Sequence, residues 1–309
     1  MTASNHNHRI LAFAAAVLSV FLCSCEYEFD LADVSSEPDR LNIICTMDEL
    51  SYPTLSAEVA VPINKYDDGQ SINKEIEYCD LYINGNKTTL EQYVTDGMGT
   101  NWRSSQKANP GDELSIKAKG RTTVLAEASV RVPDVLSISK IDTTSIYIDS
   151  HFEYRSEMRF SILFDHISKG DCIELRISMR RLSDIESGIP MESPLRIIRT
   201  DGTSFIYSMD RNSDAIVIES SELKDGNRLD IVTDYIKPMS GDESYSYFIK
   251  ASKVSASYYR YSKSLYMQDN NVLADLGFSA SNYSYSNIKG GFGVLAASSP
   301  VVVSEISIR

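Results

Sequence analysis

Two-residue alternation of apolar and polar side chains, interrupted at short intervals by turn-forming clusters, constrains this chain more than any other feature. Cys79-Asp80-Leu81-Tyr82-Ile83 alternates strictly and runs into Asn84-Gly85-Asn86. Period two sends every second side chain to one face of a strand. An Asn-Gly pair then supplies the positive φ angles of a tight hairpin. The same grammar recurs nearby. Leu41–Thr46 and Ser56–Ile63 read as strands, the second stopped by Asn64–Gly69. Asn109-Pro110-Gly111-Asp112 is a turn leading into Leu114–Ala118, and Lys119-Gly120 turns the chain back into Val124–Val132. Pro133 closes the series, because proline cannot donate to a central ladder. Many short strands at turn spacing, with no helical stripe among them, predict an immunoglobulin-like β-sandwich over residues 40–133.

Residues 134–309 start the same way and then change period. Met158, Phe160, Ile162 and Phe164 alternate with polar neighbours, as do Ile173, Leu175, Ile177 and Met179. Ala215–Ile218 and Tyr245–Ala251 add strands. Val254, Tyr258, Tyr261 and Leu265 then recur at steps of 4, 3 and 4, the apolar stripe of one amphipathic helix near 254–267. Val301–Ile308 returns to strand. The chain is therefore expected to be mainly β, an N-terminal sandwich followed by a β-rich domain with one helix. No repeat of 20–50 residues is visible, which speaks against a solenoid or propeller.

The first 25 residues have a different character. Arg9 precedes the apolar run Ile10–Leu22, 13 residues long, which ends in Leu22-Cys23-Ser24-Cys25. A basic start, a short apolar centre and a small-residue exit compose a secretory signal peptide, and a spanning helix needs about 20 apolar residues. The exit resembles a bacterial lipobox, which implies cleavage after residue 24 and lipidation of Cys25. The competing account is an ordinary secreted protein with a cysteine near its cleavage site, although the Ala-x-Ala pattern of such sites is missing. Glu26 follows Cys25 where an inner-membrane retention signal has Asp, so outer-membrane sorting is expected. Residues 25–39 read as an acidic tether. Glu26, Glu28 and Asp30 within it resemble the acidic export signal of Bacteroidetes surface lipoproteins, and a solvated spacer accounts for them equally well.

The net charge of -13 becomes -14 once residues 1–24, which carry Arg9 alone, are removed. Nucleic acid and anionic lipid both require a basic footprint, so neither is bound by overall charge. Apart from Cys25 the mature chain has three cysteines, Cys45, Cys79 and Cys172. An odd, scattered trio is no disulfide framework; Cys79 reads as a core thiol, and a Cys45–Cys79 bridge stays open.

Candidate chemistry is sparse. Gly290-Gly291-Phe292-Gly293 has no Lys-Ser/Thr after it and leads into a strand, so it lacks the helix N-terminus of a phosphate loop. A structural turn at Asn287, Gly290, Gly291 and Gly293, with positive φ and with Phe292 and Val294 entering the core, is the better reading. Asp210-Arg-Asn212-Ser-Asp214 opens like a calcium loop but has Ala215 at the sixth position and Ser221 at the twelfth. No metal site or cofactor is expected. The mature chain has two histidines, His151 and His166, and neither zinc-protease nor serine-hydrolase motifs occur. No enzymatic activity is expected. Tyrosine is enriched, 18 against one tryptophan. Many of the tyrosines suit the faces of a β-protein. Tyr259 and Tyr266, off the helical stripe, with Tyr283 and Tyr285 beyond it, are the candidate partner contacts.

The runs Tyr258-Tyr-Arg-Tyr-Ser-Lys-Ser-Leu265 and Tyr285-Ser-Asn-Ile-Lys-Gly-Gly-Phe-Gly-Val294 resemble the C-terminal signature of the DUF4249 family of Bacteroidetes lipoproteins. The order of parts is similar as well: a lipobox, an Asp-Leu-Tyr-Ile strand, a Val-Pro junction and a closing glycine motif. The resemblance implies an outer-membrane lipoprotein, often encoded beside a TonB-dependent receptor and accessory to nutrient uptake. It implies no catalytic residues. An adhesive or structural surface module is the alternative, and the apolar tail Val301–Ile308 would suit strand donation to a neighbour.

Overall fold

The chain alternates in space as it does in sequence. In a computed structural model, residues 38–60, 76–94, 100–150, 153–181, 192–209, 214–224, 226–234, 245–271 and 284–308 are described. The first part contributes β1 (Arg40–Met47), β2 (Pro53–Ala60), β3 (Ile76–Ile83), β4 (Asn86–Lys87), β5 (Leu90–Val94), β6 (Thr100–Ser104), β7 (Glu113–Gly120) and β8 (Ala126–Arg131). Asn84 and Gly85 both take positive φ, 51° and 77°, and close the β3–β4 hairpin, as the Asn-Gly pair requires. At the next turn Gly111 has φ 88°, and the Asp112 N–H donates to the Asn109 carbonyl at 3.0 Å.

The second part contributes β9 (Ser137–Ser150), β10 (Glu153–Asp165), β11 (Cys172–Arg181), β12 (Ser193–Leu195), β13 (Ile197–Thr200), β14 (Ile206–Tyr207), β15 (Ile216–Glu219), β16 (Arg228–Asp234), β17 (Tyr245–Val254), the helix α1 (Ala256–Asp269), β18 (Gly291–Leu295) and β19 (Val302–Ile308). Among the described residues four sheets result, ordered β18-β1-β2-β6-β5, β4-β3-β7-β8, β13-β16-β10-β9 and β14-β15-β11-β17-β19, with β12 also on β11.

The first two sheets enclose one apolar cluster: Leu41, Ile43, Cys45 and Leu55 from one side, Leu81, Ile116, Ala118 and Ala126 from the other. The third and fourth enclose a larger one, with Phe160 and Ile162 of β10 facing Ile173, Leu175 and Ile177 of β11 and Tyr247 and Ile249 of β17. Phe160 and Tyr247 meet edge-on, ring centroids 5.7 Å apart, a geometry worth about 0.5–1.5 kcal/mol beyond burial. The protein is mainly β.

One ladder crosses the boundary expected at residue 133. β18 pairs with β1 in parallel, Leu41 with Gly291 through Cys45 with Leu295. The last third of the chain thus completes the first sheet, and Leu295 joins that sheet's core. The tail, as β19, pairs with β17 of its own chain, Tyr245 with Ile308 through Ala251 with Val302. The helix begins two residues later than its apolar stripe, because Val254 is the last residue of β17.

The glycine turn differs in detail from its sequence reading. Positive φ occurs at Gly290 (76°) and Gly293 (93°), not at Gly291. Gly291 is required by space instead: a Cβ there would lie 2.7 Å from the Leu41 carbonyl oxygen. At Gly293 both constraints coincide, since a Cβ would meet the Ile43 carbonyl oxygen at 2.0 Å. Val294 is buried, but Phe292 is 46% exposed. Phe292 and Val294 lie on the same face of β18, yet only Val294 reaches the ground covered by α1.

Cys45, Cys79 and Cys172 are free thiols. Burial, with the neighbouring Cys79 adding to it, pushes Cys45 up to about 12. Burial likewise raises Cys79 and Cys172 to about 12. The thiolate is the nucleophile, so native protein at pH 8 is expected to resist alkylation at all three until denatured. Rapid labelling of folded protein, read by intact mass, would contradict this. The glycine geometry gives a second expectation. Gly293→Ala should cost more than the 1–3 kcal/mol or so typical of backbone strain alone. Gly85→Ala, with φ 77° but nothing within 4 Å of a Cβ, should cost about 1–2 kcal/mol. Equal urea midpoints for the two variants would refute the close approach at Ile43.

Candidate functional site

The helix α1 starts where strand β17 runs out, and serine hydroxyls fix the change of direction. The Ser255 side chain accepts from the Tyr258 N–H at 3.3 Å, an N-cap, and from the Ala297 N–H at 3.1 Å. Ser257 Oγ donates to the Leu295 carbonyl at 2.9 Å. Capping satisfies donors that the first turn leaves open, and here the cap also ties the helix to the end of β18.

The stripe of α1 buries Tyr258 and Tyr261 against Cys172, Val217 and Val254 of the fourth sheet and against Val294 of the first. Ile44 of β1 and Leu265 pack at the margin. The helix is thus covered from two sheets, and polar groups carry part of the contact. Tyr258 Oη donates to Glu174 Oε1 at 3.0 Å, and Ser208 Oγ donates to the same oxygen at 3.0 Å. The two hydroxyls are 2.7 Å apart. Arg176 lies 3.7 Å from Glu174 and 3.1 Å from Glu49. Burial, and then the Glu174 carboxylate, hold the Tyr258 phenol well above its usual range. It serves as a hydrogen-bond donor at neutral pH, not as a base.

Beside this cluster a cleft of about 500 Å³ opens between α1 and the β14–β15 hairpin. Tyr207 and Tyr266 line it with ring centroids 6.3 Å apart. Arg196, Asp214, Asp269 and Asn270 bring charge and amide groups to its rim, and Ser208 and Ser262 reach it from the floor. The hairpin is fixed to the helix, since the Met209 N–H donates to Ser262 Oγ at 3.2 Å. Tyr207 is held from both sides: its hydroxyl donates to the Ile197 carbonyl at 3.3 Å, and the Arg196 guanidinium lies 5.8 Å from its ring centre. A cleft of this size, with an aromatic wall and a few convergent polar groups, has the dimensions of a small-molecule site. Across the cluster, a second cavity of about 210 Å³ is lined by Thr46, Glu174, Arg176 and Tyr258.

The candidate contact tyrosines divide. Tyr266 lines the cleft. Tyr259 is half-buried at the edge of the helix cluster, as Tyr266 is, with the Lys263 ammonium 5.6 Å from its ring centre. Burial raises its phenol. Tyr285 is pinned: its N–H donates to Ser264 Oγ at 2.9 Å, and the Arg260 guanidinium lies 5.9 Å from its ring centre. Tyr283 lies outside the described residues, as do Cys25, Glu26, Glu28, Asp30, His151 and positions 210–213 of the calcium-like loop. Asp214 is described, at φ 48°.

Asn287 has a role its place in the motif only hinted at. Its side-chain amide donates to the Leu295 carbonyl at 2.8 Å and accepts from the Leu295 N–H at 2.9 Å. It stands in for a neighbouring strand at the open edge of β18. Arg196, Tyr207 and Glu174 were not singled out by sequence, because nothing local marks them. Among the described residues no group of three or more His, Cys, Asp or Glu could hold a metal. Within the same residues no helix is long and apolar enough to cross a membrane.

The profile of one family, described as a domain of unknown function, DUF4249, matches residues 26–302. The chain belongs to this family. Curated protein sequences give no match. Among solved structures, AggA, the major subunit of aggregative adherence fimbriae type I from Escherichia coli, is similar at 13% identity and TM-score 0.28, covering 57% of this chain and 95% of that one. A mutant Salmonella alpha-2-macroglobulin is similar at 11% identity and TM-score 0.23, covering 87% of this chain and 14% of that one.

The Tyr258–Glu174 bond generates a test. Tyr258→Phe keeps the ring and removes one donor to a buried carboxylate, so stability should fall by about 1–3 kcal/mol. Tyr266→Phe, at the cleft wall, should leave stability within about 0.5 kcal/mol of wild type. Urea unfolding of the two variants checks the contrast, and similar losses for both would place Tyr266 in the core.

Proposed function

We propose that this DUF4249 protein is a non-enzymatic lipoprotein of the outer membrane, anchored through Cys25. In this reading it holds a small solute in the α1 cleft on behalf of a TonB-dependent transporter. The observation that carries the ligand-binding part is the cleft itself, with Tyr207 and Tyr266 as its wall and Arg196, Asp214 and Asp269 at its rim. One wall is the capped helix, tied to the β14–β15 segment by the Met209 N–H to Ser262 Oγ bond, so that part of the site is held in place before a ligand arrives, which lowers the ordering cost of binding. The lipobox-like Leu22-Cys23-Ser24-Cys25 supports the anchor. The acidic residues Glu26, Glu28 and Asp30 support exposure at the cell surface. Two or more acyl chains on one cysteine would make release from the membrane rare.

The experiment is purification of the tagged, detergent-solubilised protein from its native membrane with identification of what accompanies it. A TonB-dependent receptor is expected in the wild-type eluate. Arg196→Ala with Tyr266→Ala should abolish binding of the transported solute to the purified lipoprotein while the receptor still co-purifies. Cys25→Ala should shift the protein out of the membrane fraction. An eluate without a transporter, or an unmodified Cys25 at the mature N-terminus by intact mass, would overturn the transporter role and the anchor respectively.

A further inference from the structure

One end of the first sandwich gathers apolar side chains that the core does not use. Val124, Leu125 and Phe292 are 38%, 45% and 46% exposed. They come from the β7–β8 loop and from β18, far apart in sequence. The turn before β18 joins them, since a Cβ on Gly290 would lie 3.5 Å from Val124 Cγ2. Basic groups stand among them. The Arg40 guanidinium lies 5.3 Å from the Phe292 ring centre. Lys289, highly exposed, is 3.1 Å from Glu127, and Arg121 lies in the same loop as Val124 and Leu125.

This is also the end at which the chain arrives from Cys25. Asp39 bridges Thr123 in parallel and accepts from Thr122 Oγ1 at 2.8 Å. Cys25 is only 13 positions before Pro38, a span of at most about 45 Å for any backbone conformation. The other end of the same sandwich is occupied differently: there Met47 packs near Ala297, and Glu49 reaches Arg176 of β11.

We propose that Val124, Leu125 and Phe292, with Arg40, Arg121 and Lys289 around them, rest on the phospholipid surface that holds the acyl chains of Cys25. This inference depends on the lipid anchor proposed above. Aromatic and aliphatic groups flanked by Lys and Arg fit the boundary between acyl chains and phosphates. The patch is small for a free protein to bind a membrane. A covalent tether makes the contact intramolecular, so its effective concentration is high and a weak surface suffices to set orientation. The basic groups matter because the chain without residues 1–24 carries -14 and would otherwise be repelled from anionic lipid.

The test uses the mature lipidated protein in vesicles of phosphatidylethanolamine and phosphatidylglycerol whose acyl chains carry bromine. Trp102 is the single tryptophan, so Trp102→Phe clears the background for one introduced indole. Should Trp102→Phe lower the melting temperature, the same readings are taken as differences against the protein that keeps Trp102. Phe292→Trp, and separately Leu125→Trp, should lose about half or more of their fluorescence in brominated vesicles, as expected for indoles at the acyl boundary. Leu50→Trp, at the opposite end and 61% exposed in the native residue, should be unquenched. Flotation with the vesicles but no quenching of Phe292→Trp and Leu125→Trp overturns the docking while leaving the anchor intact. Equal quenching at all three positions also overturns it. Failure to float overturns the anchor, and the docking with it.

Discussion

The parallel ladder between Leu41–Cys45 and Gly291–Leu295 is the constraint on which the remainder of the structure depends. It joins segments separated by strands β2 to β17 and the helix. Closing a loop of that length costs about 5 kcal/mol in chain entropy, and parallel ladders are slightly weaker per residue than antiparallel ones. The ladder is therefore secured by more than its own bonds. Gly291 and Gly293 allow the strands to approach at places where any Cβ would collide with the Leu41 or Ile43 carbonyl. Asn287 covers the outer edge at Leu295, and Ser257 adds a second donor to the same carbonyl. An edge strand otherwise presents unpaired groups to any other chain. The glycine motif is thus a device for closing one sheet with a strand from near the far end of the chain.

Once β18 is in place, the position of α1 follows. Leu295 faces the sandwich core, while Val294 faces the other way and joins Ile44 beneath the helix. The helix must also bury its stripe against Cys172, Val217 and Val254 of the fourth sheet. A helix gripped from two sheets has little freedom to rotate. That is what keeps Tyr266 and Ser262 turned toward the β14–β15 hairpin, and the cleft between them open.

The sequence made part of this legible. Strands β3, β7 and β11 alternate so strictly that their inward faces could be named residue by residue, and Asn84-Gly85 announced its hairpin. Others were hidden for definable reasons. In β9, Ile138 and Ile141 both pack toward the larger core although their spacing is odd. The register with β10 shifts between Leu163 and Phe164, and that bulge changes the parity. β16 has charged residues at its start and end, which mask the inward Leu229 and Ile231. The helix stripe at Tyr258, Tyr261 and Leu265 was visible, but not what it covers, since its partners come from six different strands. The cleft was not legible at all. Arg196, Tyr207 and Asp214 come together around one cleft only through sheet order, and Glu174 meets Tyr258 across 84 positions.

The buried carboxylate at Glu174 links these parts electrostatically. A carboxylate removed from water is tolerable only with donors and an opposing charge nearby. Ser208 and Tyr258 supply the donors, and Arg176 supplies the charge. Ser208 belongs to the wall of the larger cleft, Tyr258 to the helix, and Arg176 extends to Glu49 in the β1–β2 turn of the first sandwich. The wall of the cleft and the junction between the two sandwiches therefore share one small set of hydrogen bonds and charges.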